Sequence, residues 1–153
     1  MRSSITKLEA ILWSIALPGF PQLLVGLWFK GTLFVLLEIV FNVQSNFNQA
    51  IMYSFLGETE RAAQTINYQW LMFYPCLYMF AMWDAYKISM EKEEKYVYLP
   101  FVFSAYFVTV GLMYSPNVYV FGKFIGPIFL PMLFVIPGVG IGLLLRWVLL
   151  RMK

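Results

Sequence analysis

The chain has 153 residues, of which 61% are hydrophobic and only 12% are charged, and its formal net charge is +3. Soluble chains average roughly 45–50% apolar and about 25% charged residues, so this chain has too few ionic side chains to cover a surface in contact with water. It has no histidine and a single cysteine, Cys76, which excludes a Ser/His/Asp triad, a Cys/His dyad, a histidine-bearing metal site and an intrachain disulfide. The composition therefore indicates a lipid-facing exterior, and we predict no catalytic residue, no metal site and no cofactor.

The first apolar segment is interrupted by Pro18-Gly19-Phe20-Pro21. The prolines remove two backbone donors and the glycine accepts turn conformations, so we expect these four residues not to be helical. Lys7 precedes the segment and Lys30 follows it, and basic residues resist translocation. We therefore predict a re-entrant hairpin over residues 5–29, with a kinked fifth span or a cleaved signal peptide as the alternatives.

Windows with little or no charge follow the hairpin, and each is long enough to cross a bilayer core of about 30 Å. The predicted spans are residues 31–55, 68–86, 98–114 and 127–149. The expected fold class is an all-α integral membrane protein whose single transmembrane domain covers residues 1–153. It has four transmembrane helices preceded by the membrane-embedded helical hairpin, or five spans if the first segment crosses.

Basic residues near the two ends of the chain predict that both termini are cytoplasmic. These residues are Arg2, Lys7, Arg146, Arg151 and Lys153. The charged run at residues 91–95 is typical of a solvated turn on the same side.

The last apolar window contains Pro131 and Pro137, which we expect to interrupt its helix. Three glycines follow at positions 138, 140 and 142. They lie inside an apolar segment and lack the Lys-Ser/Thr of a phosphate-binding loop, so they indicate close helix packing through small residues.

Glu38 is the main candidate for a functional residue, because it lies in an apolar run about 12 Å along a helix from Lys30. A carboxylate at that depth is costly unless it is paired or protonated. Helical spacing places further polar residues on the same face, namely Asn42, Ser45, Asn46 and Gln49. The stripe predicts interhelical hydrogen bonds that hold the bundle together, and the alternative is a polar path or ligand site centred on Glu38.

Two other polar residues need partners inside a membrane. Gln22 follows the proline-rich turn, and its amide would be costly without a hydrogen-bonding partner. Asp84 lies near the predicted cytoplasmic interface, where Lys30, Lys87 and Arg146 are its candidate ion-pair partners. A structural ion pair is the simplest interpretation, and a proton or ion relay between Glu38 and Asp84 is the alternative.

Two motifs in the first half of the chain resemble a known family. Pro18-Gly19-Phe20-Pro21-Gln22, then Gly26 and Lys30-Gly31, is similar to the P-G-x-G-Q-x-Y-x-G…K-G opening of small bacterial multi-spanning proteins related to the TM2-domain class. Trp83-Asp84-Ala85-Tyr86-Lys87 resembles the end of the same unit, although Pro21 stands where glycine is usual. The resemblance implies a hairpin-plus-helices unit in the bacterial cytoplasmic membrane, and it implies no reaction.

These observations predict a small non-enzymatic structural or accessory membrane protein. Its expected partners are the lipid bilayer and either a second copy or a larger membrane complex. Nucleic acid is not expected, because the positive charge lies mostly at ends that would face anionic headgroups. The alternative function is a transporter or channel component that uses the polar path at Glu38.

Overall fold

The computed structural model describes residues 5–152, so Arg2 and Lys153, two of the basic residues expected to hold the termini in the cytoplasm, lie outside the described residues. The protein is mostly helical, at 74%. The helices of the described part are α1 (Lys7–Ala16), α2 (Phe20–Leu24), α3 (Trp28–Ser45), α4 (Phe47–Phe55), α5 (Thr59–Thr65), α6 (Tyr68–Leu71), α7 (Tyr74–Ile88), α8 (Leu99–Tyr114) and α9 (Gly126–Arg151). A short antiparallel hairpin of β1 (Tyr119–Val120) and β2 (Lys123–Phe124) precedes α9 and pairs Tyr119 with Phe124.

The helices are shorter and less continuous than the predicted spans. Within residues 5–152, α9 alone is long and apolar enough to cross a membrane, with 26 residues and a mean hydropathy of 2.4 over its most apolar 18-residue window. The apolar α8 has 16 residues, which correspond to about 24 Å and fall short of a bilayer core of about 30 Å. The expected fold of four transmembrane helices after a hairpin, or of five spans, is therefore wrong. The expected multi-pass localisation in the bacterial cytoplasmic membrane with both termini cytoplasmic is wrong for the same reason.

Breaks in the helices divide two of the predicted spans. Asn46 has a φ of +57° and separates α3 from α4, inside the window 31–55. Asparagine is one of the few residues other than glycine that enter this left-handed region without a large cost. The window 68–86 is divided between α6 and α7, where Pro75 lies in the first turn of α7. A window that is free of charge is therefore not always a continuous helix.

The N-terminal segment bends between α1 and α2. Helix α1 ends at Ala16, and Gly19 has a φ of +98°. A Cβ atom at Gly19 would lie 2.6 Å from the carbonyl oxygen of Gly31, so only glycine fits this bend. Phe20 and Pro21 are helical, which corrects the expectation that all four residues of the turn are non-helical. Whether this bent segment enters and leaves a membrane stays a prediction.

Helices α8 and α9 lie in direct contact through small residues. A Cβ atom added at Gly138 would lie 2.7 Å from the Cα atom of Ser104, and one at Gly142 would collide with the Cα atom of Pro100. Pro131 and Pro137 lie inside α9 and do not end it, so the expected interruption of this helix is absent. The glycines let the two backbones approach, as in helix pairs within lipid.

Polar side chains are buried while large apolar side chains face outward. The buried polar and charged residues are Ser14, Gln22, Glu38, Ser45, Ser54, Asp84, Ser104 and Ser115. Gln22 is the largest of the fully buried side chains, whereas Phe29 and Ile136 are 86% and 70% exposed. A conventional apolar cluster also exists, formed by Ala50, Ala62, Ile66, Leu71, Leu112 and Ile128. The extent of exposed large apolar side chains, beside buried polar groups, exceeds what is usual for a protein whose exterior is in water.

Candidate functional site

Helix α3 places Glu38 in the interior. Gly31, Phe34, Glu38 and Ser45 are its buried residues, and their spacing of three, four and seven places them on one helical face. The Glu38 side chain can reach α7 from this face, and the Tyr74 hydroxyl donates a hydrogen bond of 2.6 Å to its Oε1 atom. Glu38 is 8% exposed, and its Oε2 atom has no hydrogen-bonding partner within the described part of the chain.

A cavity of about 440 Å³ lies beside this carboxylate. Its wall is formed mainly by aliphatic and aromatic side chains from α3, α4, α7, α8 and α9. The polar and aromatic residues of this lining include Glu38, Asn42, Phe47, Asn48, Tyr74 and Tyr78. None of the described lining residues is a lysine or an arginine. The site is therefore one carboxylate in a mostly apolar, partly aromatic chamber.

The electrostatics of the cavity disfavour charge. Burial raises the pKa of the Glu38 carboxyl, and the hydrogen bond from Tyr74 offsets part of that rise. Burial also raises the pKa of Tyr78 to about 12, and the nearby carboxylate adds to this shift. The pKa of Tyr74 is raised by burial and by Glu38, so its hydroxyl keeps its proton and remains a donor.

The structure brings together only part of the predicted polar stripe. The Asn42 amide donates a hydrogen bond of 3.1 Å to the side chain of Asn48, and both residues line the cavity. The Asn46 amide instead donates to the carbonyl oxygen of Thr65, and Gln49 is exposed. The left-handed backbone at Asn46 changes the chain direction, so residues beyond it leave the face that carries Glu38.

Gln22 and Asp84 form a second polar site, separate from the cavity. The Gln22 amide donates to the carbonyl oxygen of Ala81 at 3.0 Å and to Asp84 Oδ2 at 3.1 Å. Lys30 Nζ lies 2.9 Å from Asp84 Oδ1. Both oxygens of Asp84 are thus paired, and Lys30 is the partner found among the candidates. The Gln22 Oε1 atom has no partner among the described residues.

Arg146 pairs with Glu94 and not with Asp84. Its Nη2 atom lies 2.6 Å from Glu94 Oε2, and its Nε atom donates to the carbonyl oxygen of Lys95. Lys7 forms an ion pair with the other oxygen of Glu94. The hydrogen bonds from Lys7 and Arg146 hold the pKa of Glu94 below its usual value. Glu94 belongs to the run expected to be a plain solvated turn, and nothing in that run distinguishes it from its acidic neighbours.

Sequence reasoning also missed Tyr74, Phe47 and Tyr78. The Phe47 and Tyr74 ring centroids are 4.7 Å apart, and those of Tyr74 and Tyr78 are 5.7 Å apart. Aromatic residues make up 20% of the chain, so no pattern distinguishes these three from the rest. Within residues 5–152, no group of three or more His, Cys, Asp or Glu residues could hold a metal ion.

Comparison with known proteins identifies no relative of this chain. No protein-family model matches it, and no match is found among the curated proteins or the solved structures.

Proposed function

We propose that the chain is a small non-enzymatic accessory or structural protein that associates with a lipid bilayer, and that the α8–α9 pair is its embedded part. The observation that supports this proposal is the large number of exposed large apolar side chains, while serines, Gln22 and Asp84 are buried. Each large apolar side chain left in water forgoes about 1.5–3 kcal/mol of burial. Lipid in contact with the exterior removes that cost.

Helix α9 is the element best suited to contact lipid. Only 28% of its most apolar window is buried, whereas a core helix of similar composition in a soluble protein is mostly buried. Ile136 and Leu144 are 70% and 59% exposed on it. The basic residues Arg146 and Arg151 lie at its C-terminal end, where they can reach the headgroup region.

The partners proposed with this function are the bilayer itself and either a second copy or a larger membrane complex, with no role for nucleic acid. The likeness of Pro18–Gln22 and Trp83–Lys87 to the TM2-domain class is compatible with this proposal. Membership of that class is part of the proposal, and it implies no substrate and no reaction.

Membrane fractionation tests the proposal. The full chain is expressed in a bacterial host, membranes are washed with sodium carbonate, and the protein is followed by flotation in a density gradient. We expect the wild type to float with the membranes after the wash. The double variant Ile136→Arg, Leu144→Arg should be extracted at least in part, because an arginine at the centre of an embedded helix costs about 2.5–3.5 kcal/mol.

Phe121→Arg is the matched control, because Phe121 is 102% exposed and lies in the β-hairpin, outside the α8–α9 pair. This variant should float like the wild type. Recovery of the wild type as a folded protein in the soluble fraction would overturn the proposal. Equal extraction of the control and the double variant would show that α9 has no special part in membrane association.

A second candidate function is a transporter or channel component, and the cavity beside Glu38 favours it. A proton or cation that moves through this site needs a group that can change charge. Proteoliposomes with an internal pH dye and an imposed potassium diffusion potential would report a proton flux. The flux should be abolished in Glu38→Gln and unchanged in Glu60→Gln, whose carboxylate is exposed. Equal rates in all three proteins and in empty vesicles would refute this candidate.

A further inference from the structure

Only one of the two carboxylate oxygens of Glu38 has a hydrogen-bond donor among the described residues. One oxygen accepts the Tyr74 hydroxyl, the other has no donor within residues 5–152, and the side chain is 8% exposed. A buried acceptor without a donor is costly, and the cost is larger for a charged group. Asp84, the other buried carboxylate, has both oxygens paired. Glu38 therefore differs from Asp84 in being able to accept one further donor.

The residues around the cavity indicate the charge of a group that could donate to the second oxygen of Glu38. The described lining residues include no lysine and no arginine, and Lys30 is already paired with Asp84. The described lining residues thus supply no positive charge to Glu38. A cationic ligand would supply both the charge and the N–H donor.

The cavity wall indicates what kind of cation fits. Metal ions such as Ca²⁺ and Mg²⁺ require six or more oxygen ligands, whereas the lining offers one carboxylate and the side chains of Asn42 and Asn48. The rings of Phe47, Tyr74 and Tyr78 can instead attract an organic ammonium group. A volume of about 440 Å³ lies within the range of small-molecule sites.

We propose that the cavity beside Glu38 binds a small organic amine in its protonated form, with the ammonium group at the carboxylate and an apolar body against the aromatic and aliphatic wall. The ammonium group donates a hydrogen bond to Glu38, whose other oxygen is held by Tyr74. The cavity opens to the exterior beside Ile15, Phe55 and Met132, which line it and are more than half exposed, so a ligand can reach Glu38 from outside.

Three probes of equal length and different charge test the proposal. The full chain, purified in a non-ionic detergent, is titrated with 4-phenylbutylamine, 4-phenylbutan-1-ol and 4-phenylbutyrate by isothermal calorimetry. We expect the amine to bind at least about tenfold more tightly than the neutral alcohol, because a hydrogen bond to a charged group is worth at least that factor. The carboxylate probe should bind most weakly, since it would face Glu38.

Variants assign the preference to Glu38. Glu38→Gln should bind the amine and the alcohol equally, while Glu60→Gln, which removes an exposed carboxylate elsewhere, should keep the wild-type ratio. Val135→Phe, which places a larger side chain in the cavity wall, should weaken both probes. Thermal unfolding of each variant shows whether it is folded.

Equal affinity of the wild type for the amine and the alcohol, or no binding of either, would overturn the proposal. So would a preference for the amine that persists in folded Glu38→Gln. The comparison of the three probes on the wild type can overturn the proposal without any variant. If Glu38→Gln fails to fold, weaker binding of both probes to folded Val135→Phe still places them in the cavity, and unchanged binding to that variant would overturn the proposal.

Discussion

Gly138→Ala should destabilise the protein, and Gly140→Ala, two residues further along the same helix, should not. The new Cβ atom at Gly138 would lie 2.7 Å from the backbone Cα of Ser104, and ordinary contacts begin at 3.4 Å. Helices α8 and α9 must therefore separate by roughly 0.7 Å at their point of closest approach. A Cβ atom at Gly140 meets nothing within 4 Å.

The two substitutions share the same gain in helix propensity and differ only in the contact. Replacement of glycine by alanine inside a helix gains about 0.5–1 kcal/mol. Overpacking costs about 1–3 kcal/mol, and a clash with a backbone atom, which cannot rotate away, lies in the upper half of that range. After a propensity gain of about 1 kcal/mol is subtracted, Gly138→Ala should be less stable by about 1–2 kcal/mol. For a chain of this size, 1 kcal/mol shifts the Tm by about 2–4 °C. We expect a Tm lower by about 2–8 °C for Gly138→Ala and a Tm equal to or slightly above that of the wild type for Gly140→Ala.

Thermal unfolding in one detergent, followed by circular dichroism, measures both shifts. Equal Tm values for the two variants would refute the close contact between α8 and α9 at this position. A lower Tm for Gly140→Ala than for Gly138→Ala would do so as well.

Two further predictions concern buried and paired carboxylates. Tyr74→Phe removes the hydrogen bond to Glu38, and it should lower the free energy of unfolding at neutral pH by about 1–3 kcal/mol. Neither oxygen of the carboxylate then has a donor among the described residues. The pKa of Glu94 is lowered in the folded state by Lys7 and Arg146. The stability from this group is therefore present above its usual pKa of 4.5 and is lost as pH falls through the folded pKa. Glu94→Gln should therefore flatten the loss of stability below about pH 4.5.

Unfolding midpoints measured from pH 3 to pH 8 check both predictions. Burial raises the pKa of Glu38, so its shift has the opposite sign. The stability that this group contributes is fully present below its usual pKa of 4.5 and is lost as pH rises through the folded pKa. The effect of Tyr74→Phe should thus grow with pH, whereas that of Glu94→Gln should be confined to acid. A Tyr74→Phe effect that is constant across this range would argue against a charged Glu38 as the cause.

The sequence predicted the bend near Pro18 and Gly19 but not the number of membrane spans. Counting charges located apolar windows correctly, but it carried no information on whether a window is one helix. Asn46 breaks a helix although it is neither glycine nor proline, and Pro131 and Pro137 leave α9 intact although they are prolines. The path of the backbone at these positions depends on tertiary packing. The composition of a sequence window carries no information about that packing.

The candidate sites were predictable where charged or amide side chains interrupt apolar segments. Glu38 and Asp84 are visible as isolated carboxylates in apolar segments, and Lys30 was among the candidate partners of Asp84. Tyr74, which lies 36 residues from Glu38, was not predictable, because a tyrosine in an aromatic-rich segment carries no mark of its role. Periodicity also failed beyond Asn46, since helical spacing defines a face only while the helix continues.

The two buried carboxylates of the described interior, Glu38 and Asp84, differ in how completely they are hydrogen-bonded. Asp84 accepts from Lys30 and Gln22, which joins α2, α3 and α7, and its pairing is complete. Glu38 accepts from Tyr74 alone and adjoins a cavity without a lysine or arginine among its described lining residues. Selection for stability alone favours replacement of an incompletely paired buried charge, because apolar residues of similar volume are often at least as stable. A ligand that completes the pairing of Glu38 would offset the cost of burying its charge, and the amine titration distinguishes this role from a purely structural one.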